Sequence, residues 1–375
     1  MLQREALEIL KTGANVFLTG KPGSGKSHLV TEYIKYLEDK GVYPAVTSTT
    51  GIAAANIGGV TIHSFSGLGV DKKVNEQKLD QILQKEKLVK KIQGTDVLII
   101  DEISMLDSQT LDSVDKVFRA IKDSNKSFGG VQVVVVGDFF QLPPVGSDVQ
   151  YCFTSETWKQ AKFLPCYLSE QFRQDDERFL ELLNAIRSNN VDEYHVDILH
   201  QRINANQTNT KDSILELHTH NKNVDEINEK RLFELSGKEY LYKMETKGKR
   251  SLVESFLKNV LSPEYLRLKE GAKVMFTKNT PEFSNGTLGE VVELAPQIIK
   301  VKLLNEKVIE VRPLDWQLEE DGKVKVKLTQ YPLRLAWAIT VHKSQGMSLD
   351  ISRVNLGNTF VHGQGYVALS RLRSL

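Results

Sequence analysis

The stretch NVFLTGKPGSGKSHLVTEYIKYLE, residues 15–38, decides the fold of this chain. A short apolar, β-prone run (Asn15–Thr19) meets Gly20-Lys21-Pro22-Gly23-Ser24-Gly25-Lys26-Ser27, and an amphipathic helical pattern follows. This is G-x-x-x-x-G-K-S in the strand–loop–helix setting that a phosphate-binding loop requires. Its glycines let the backbone approach a polyphosphate in conformations other residues avoid. The turned N–H groups and the positive end of the helix then form an anion nest. Lys26 is expected to reach the β- and γ-phosphates, and the Ser27 hydroxyl to ligate Mg²⁺. A Gly-rich turn with a chance lysine is the alternative, and the flanking strand and helix argue against it. The expected cofactors are ATP and Mg²⁺.

Working outward, 375 residues correspond to two or three domains at about 150 residues each. Forty per cent hydrophobic and 26% charged residues are ordinary for a globular chain with a good core. The net charge of +1 excludes a uniformly basic nucleic-acid coat, so any polyanion site must come from local patches. Two cysteines, Cys152 and Cys166, provide neither a disulfide framework nor metal-ligand spacing, and they suit a reducing compartment. No apolar run approaches the roughly 20 residues of a membrane span, and the opening LQREALEILKTG is amphipathic rather than a signal peptide. A non-membrane protein is expected, cytoplasmic in a bacterial or phage setting and nuclear or mitochondrial in a eukaryotic one.

Ahead of the loop, Gln3–Leu10 reads as a helix. Gln3 is either an adenine reader or a solvated helix residue. Pro44–Thr50 is a second strand ending in hydroxyl residues and Gly51. Downstream, Thr61, His63 and Ser64 are candidate phosphate donors and Phe65 a candidate base stacker. A helix packed by alanines followed by a polar turn accounts for the same residues equally well. Residues 66–92 read as a small charged surface insertion, with Lys85, Lys87, Lys90 and Lys91 on a solvated helix face. Val97–Ile100 is an apolar strand of the kind buried on both faces of a parallel sheet, and it delivers Asp101 and Glu102 at its carboxyl end. Such carboxylates are costly there without a positive partner, which a metal supplies. Asp101 is assigned to Mg²⁺ and Glu102 to the attacking water. Gln132–Val136 is another buried strand, leading to Asp138 and to Gln141, which is placed to sense a γ-phosphate. From Gly271 to Leu328 short alternating strands predict a small antiparallel barrel or sandwich.

Taken together and in order, GKPGSGKS, TTGIAAANIGGVTIHSFSG, DEISML and GDFFQLPPV resemble the petite-integration-frequency (Pif) family of DNA helicases, superfamily one subtype B. They are also similar to the related RecD group. The segment DKVFRAIKDSNKSFGGVQ, residues 115–132, resembles the signature that separates the Pif family from RecD. CYLSEQFRQ (166–174) resembles the motif whose arginine, here Arg173, reaches the triphosphate from a second motor domain. VHKSQG (341–346) resembles a segment contacting both DNA backbone and nucleotide, and YVALSR (366–371) resembles the last helicase motif, making Arg371 a second arginine finger.

The resemblance implies an α/β fold with two RecA-like P-loop motor domains and a small inserted β-barrel. It places the first domain at 1–168, the second at 169–265 and 331–375, and the barrel at 266–330. The catalytic set would be Lys26, Asp101, Glu102, Gln141, Arg173 and Arg371, with Gln3, the Gly20–Ser27 loop and Gly346 binding nucleotide. Thr49, Gly51, His63, Ser64, Phe65, Thr340, His342 and Lys343 would grip single-stranded DNA. The implied activity is ATP-dependent 5′-to-3′ translocation and unwinding in replication, recombination, repair or telomere maintenance, on forked or structured DNA, G-quadruplexes or RNA–DNA hybrids. Single-strand-binding or replication proteins are expected partners of a monomeric motor. Two readings compete: a RecD-like helicase or translocase without strong unwinding, and a nucleotide-gated single-strand binder. The chain stops at Leu375, just after the last motif, where a RecA-like domain needs a further strand.

Overall fold

A computed structural model describes residues 1–69, 71, 73–146, 149–204, 214–258, 260–320, 323–349, 351–357 and 359–375. The chain divides into two units, Met1–Phe172 with Glu320–Lys323, and Arg173–Glu319 with Val324–Leu375. Among the described residues no helix is long and apolar enough to cross a membrane.

Unit 1 is built on β1 (Val16–Gly20), β2 (Ala45–Ser48), β3 (Val60–Thr61), β4 (Val97–Asp101), β5 (Gln132–Val136) and β6 (Leu164–Leu168). They form one sheet in the order β3-β2-β4-β5-β1-β6, every neighbour parallel. The apolar runs of β4 and β5 are explained by burial on both faces. Leu98, Ile100, Val133 and Val135 enter one core, while Val97, Ile99, Val134 and Val136 enter the other. Because all six strands run the same way, their carboxyl ends share one edge, where ligands of open α/β sheets bind.

The charged segment after Phe65 is not a mere surface excursion. Its helices Glu76–Leu83 and Glu86–Gln93 send Ile82 and Ile92 into the first core beside Leu68 and Val74. Lys85, Lys87 and Lys90 stay on the exposed side.

The stretch 115–132 is a staple between the helix Ser108–Lys122 and β5. Buried Asp115 accepts a 2.6 Å hydrogen bond from the Phe128 backbone N–H and a 2.6 Å bond from Arg119 Nε. Arg119 also donates to the Asn125 carbonyl and to Gln160. Phe128, at φ 50°, is fully buried edge-on to Phe118. A Cβ on Gly129 would meet Lys122 Cβ at 2.5 Å and the Phe118 carbonyl at 2.9 Å, so only glycine fits.

Unit 2 contains β7 (Glu216–His218), β8 (Tyr240–Lys243), β9 (Glu245–Gly248), β10 (Tyr265–Leu268), β11 (Lys273–Phe276), β12 (Leu288–Ala295), β13 (Ile298–Leu303), β14 (Val308–Val311), β15 (Leu314–Glu320), β16 (Lys323–Gln330), β17 (Leu333–Leu335), β18 (Ala338–Thr340) and β19 (Arg353–Val354). The parallel strands β18-β7-β19 form a small sheet of their own. The alternating segments pair as the five-stranded antiparallel sheet β14-β13-β12-β11-β17 and the three-stranded sheet β15-β16-β9. The inward face of the five-stranded sheet, including Val274, Phe276, Val291, Ile299, Val301 and Leu333, builds one core, and Trp316, Val326 and Leu328 of the three-stranded sheet build another. No closed barrel forms among the described residues: the expected barrel is instead a set of open sheets, because the edges of the five-stranded sheet, β14 and β17, do not pair with each other. The polar, turn-rich sequence Asn204–Asp212 reads as a loop and Glu320-Asp321-Gly322 as a turn; residues 205–213 and 321–322 lie outside the described residues.

Candidate nucleotide and nucleic-acid sites

At the carboxyl end of β1 the loop 20–25 turns into the helix Lys26–Asp39, whose N-cap Gly25 is left-handed at φ 82°. A Cβ on Gly25 would lie 2.0 Å from Gln3 Nε2, and one on Gly20 would lie 2.7 Å from Ser24 Oγ and 2.8 Å from the Leu168 carbonyl. These glycines therefore serve local packing as well as ligand approach. Lys26 Nζ donates to the carbonyls of Gly20 (2.8 Å) and Lys21 (3.0 Å), which holds the ammonium across the loop. Ser24 is buried, and its Oγ has no hydrogen-bond partner among the described residues. Ser27 sits exposed in the first helical turn. An orphaned buried hydroxyl, a loop closed to side chains and a helix N-terminus together fit a polyphosphate.

Gln3 resolves away from the solvated reading. Its backbone N–H donates to Glu170 (2.6 Å) and its amide Nε2 to the Ser24 carbonyl (3.4 Å), tying the helix Gln3–Lys11 to the loop. Two neighbours of this arrangement escaped the sequence reading. Glu170 positions Gln3, and Phe172, 63% exposed, lies against the Gly25 position and donates its N–H to the Gly23 carbonyl at 2.9 Å. The available signal was the aromatic ring in EQFRQ directly after a strand end.

The acidic pair stands at the end of β4. Glu102 is a non-glycine residue in the left-handed region at φ 54°, and its N–H donates to Asp101 Oδ1 at 2.8 Å. Strain of this kind persists only where the surroundings enforce it. Here Thr49 Oγ1 donates to the Glu102 carbonyl (3.0 Å), while Ser48 Oγ and the Thr49 N–H donate to the Asp101 carbonyl. Desolvation, with Glu102 repelling a second charge, pushes the Asp101 carboxyl up to about 7, against a smaller lowering by Lys26. A carboxylate held up this way gains most from an arriving cation. No group of three or more His, Cys, Asp or Glu side chains forms a metal cage among the described residues. Gln141 is buried beyond β5, its N–H on the Asp138 carbonyl (2.9 Å) and its Nε2 facing Asp138 Oδ2 at 3.5 Å.

Of the expected DNA-gripping residues in unit 1, Gly51 opens the short helix Gly51–Asn56, His63 is part-buried and Ser64 is exposed. Phe65 is a correction. Its ring is 3% exposed and packs on Phe118 at 6.2 Å, so it belongs to the core and offers no face to a base. Thr49 is engaged in holding the acidic turn.

In unit 2 the two arginines converge on one segment. Arg173 donates to the Ser370 carbonyl at 3.2 Å. Arg371, buried, donates to the Val367 carbonyl and to Ser370 Oγ, each at 3.0 Å. Thr340 is buried, and its Oγ1 accepts the Lys343 N–H, shaping the turn that carries His342 and Lys343. Burial, then His220, lowers the His342 imidazole below its usual range; burial and then Arg334 lower the Lys343 ammonium. Gly346 is exposed at φ 78° with open space around it.

A PIF1-like helicase family model matches residues 3–209. The ATP-dependent DNA helicase Pif1 of Psychrobacter is 41% identical over the whole chain, which covers 67% of that protein. More broadly, the chain spans about three-fifths of the zebrafish and Xenopus PIF1 proteins it matches. Among solved structures, a Bacteroides Pif1 double mutant superposes with a TM-score of 0.86 at 33% identity, covering 99% of this chain and 89% of that one. Bacteroides Pif1 in complex with ADP-AlF3 and ssDNA superposes at 0.62 and 32% identity, covering 99% and 91%.

Proposed function

This chain belongs to the PIF1-like helicase family, and from that premise we propose that it is an ATP-dependent DNA helicase moving 5′ to 3′ on single-stranded DNA. The observation that carries the reading is the shared edge of the six-stranded sheet. The phosphate loop after β1, the strained acidic pair after β4 and Gln141 after β5 meet there. A mere nucleotide switch does not need a carboxylate held in a strained turn to position water.

In this reading Gln3 and Phe172 take the base, Lys26 and the Gly20–Ser27 amides take the phosphates, and Ser27 and Asp101 hold the metal ion. Mg²⁺, when bound, neutralises charge on the transferring phosphoryl group. Glu102 orients and deprotonates the attacking water, and Gln141 senses the γ-phosphate. Arg173 and Arg371 supply positive charge to the transition state, and Gly346 touches the nucleotide. Residues near Gly51, His63, Ser64, His342 and Lys343 hold the DNA backbone, and the β-rich segment 266–330 flanks the strand as an accessory element. Alternating grip during closing and reopening yields stepping. The structures of Bacteroides Pif1 with ssDNA and at forked dsDNA support single-stranded and forked substrates. The protein acts in genome maintenance in the cytoplasm as a monomer.

The test is strand displacement on 5′- and 3′-tailed duplexes with ATP. Unwinding of the 5′-tailed substrate alone is expected; unwinding only from the 3′ tail would reverse the direction. ATP hydrolysis without displacement would favour a translocase, and binding without hydrolysis a nucleotide-gated binder.

A further inference from the structure

One buried side chain ties the two arginine segments of unit 2 together. Gln174 follows Arg173 in the chain and is 3% exposed. Its Nε2 donates to the carbonyls of Ser370 (3.1 Å) and Leu372 (2.9 Å), the residues on either side of Arg371. Both partners are carbonyls, so the amide nitrogen faces them and both of its hydrogens are used.

The helix Gln364–Leu369 ends just before this segment, with Ser370 as its C-cap. Carbonyls at a helix end lack intrahelical donors and need partners from elsewhere. Here the Ser370 carbonyl also takes Arg173 Nη1 at 3.2 Å, and the Arg371 carbonyl takes the Leu349 N–H at 2.8 Å. Three successive carbonyls are thus held by residues far away in the chain. The Arg371 guanidinium, by contrast, donates to the Val367 carbonyl and to Ser370 Oγ, within its own helix end. Those bonds orient the side chain against its helix, but they do not fix the helix end within the unit. A glutamine suits that task, because its amide supplies two donors without burying a charge.

We propose that Gln174 is a positioning residue for Arg371. By holding the carbonyls on both sides, it fixes the backbone from which the guanidinium reaches the transition state. The inference rests on the reading of Arg371 as an arginine finger, and it adds Gln174 to the reaction without placing it on the nucleotide. A catalytic group displaced by about 1 Å loses around a hundredfold in rate, so the loss of these two bonds should show in turnover.

A double-mutant cycle of Gln174→Met and Arg371→Ala, read by ATP hydrolysis of the full chain with oligothymidylate, tests it. Methionine keeps the length of the side chain and removes both donors. Gln174→Met should lower kcat about ten- to a hundredfold. KM for ATP should stay within about twofold, since an interaction made only in the transition state leaves ground-state binding alone. In the Arg371→Ala background, followed by single turnover, the same change should lower the rate less than about twofold. Equal falls in both backgrounds, or no fall in the wild-type background, would overturn the inference alone. Gln174→Asn, which draws the amide back by one methylene, should reproduce the loss and serves if the methionine variant does not fold. Failure of both variants to fold would assign Gln174 to stability and overturn the inference. An unchanged kcat in Arg371→Ala would overturn the finger reading beneath it.

Discussion

At the carboxyl edge of the six-stranded sheet, the functional side chains are tied down by the protein itself. Lys26 lies on loop carbonyls, Glu102 is strained, Thr49 braces the acidic turn and Gln141 faces Asp138. Beyond the carboxyl ends of the parallel sheet β18-β7-β19, Phe360 stays 56% exposed while its ring stacks with His220 and His342. In the reading proposed above, the same topology, parallel strands ending together, serves two kinds of ligand. A small ligand undergoing chemistry needs groups fixed before it arrives, because misplacement by about 1 Å costs around a hundredfold in rate. A polymer that must slide needs contacts that accept any base and release it.

The largest effect is expected where charge is removed from Arg371, which the proposed reading assigns to the transition state. Arg371→Ala should leave nucleotide binding near wild type while kcat falls by about 10³ or more, the loss expected of an arginine finger; steady-state phosphate release alongside labelled-nucleotide binding checks it, and an unchanged kcat would remove the role. Lys26→Ala should lower hydrolysis by about 10² to 10³ yet keep oligothymidylate binding, since Lys26 is assigned to the nucleotide phosphates and not to the DNA. If Lys26→Ala retained full hydrolysis, the phosphate-loop assignment would fail.

Gly129→Ala, just before β5 and so at the opposite end from the carboxyl edge of its sheet, should cost about 2 kcal/mol in urea unfolding, because a new Cβ meets backbone at a positive φ. Little change in hydrolysis per folded molecule is expected, which would separate the staple from the site. The smallest effect concerns protons. With Asp101 titrating at about 7, Mg²⁺ should activate about tenfold more weakly at pH 6 than at pH 8, since binding requires the carboxylate. The folded-state pKa is raised above the 3.8 of an ordinary Asp. Burial therefore costs stability increasingly as pH rises from about 4 to 7, and nothing below that range. The melting temperature of metal-free Asp101→Asn should exceed wild type by more at pH 8 than at pH 5.

The two edges also differ in how far they can be read from sequence. The first is written in contiguous words, GKPGSGKS, DEISML and GDFFQLPPV, since each strand delivers its own site residues and buried parallel strands are uninterrupted apolar runs. Gln3 stayed ambiguous because the carbonyl it reaches, on Ser24, is 21 residues away. Phe65 was misread since exposure depends on Phe118, in a helix more than 50 residues on. The antiparallel strands were visible as alternation, but whether they close a barrel depends on edge pairing, which alternation does not specify.

By itself the sequence determined the nucleotide-binding chemistry, the buried parallel strands and the family, because local spacing sets which backbone and side-chain groups a strand end presents. Only the tertiary structure decided which aromatic rings are free. It also made the 115–132 stretch a staple, and it brought His220, His342 and Phe360 from three strands to one corner. Those outcomes depend on burial and on contacts between residues distant in the chain, which no local pattern encodes.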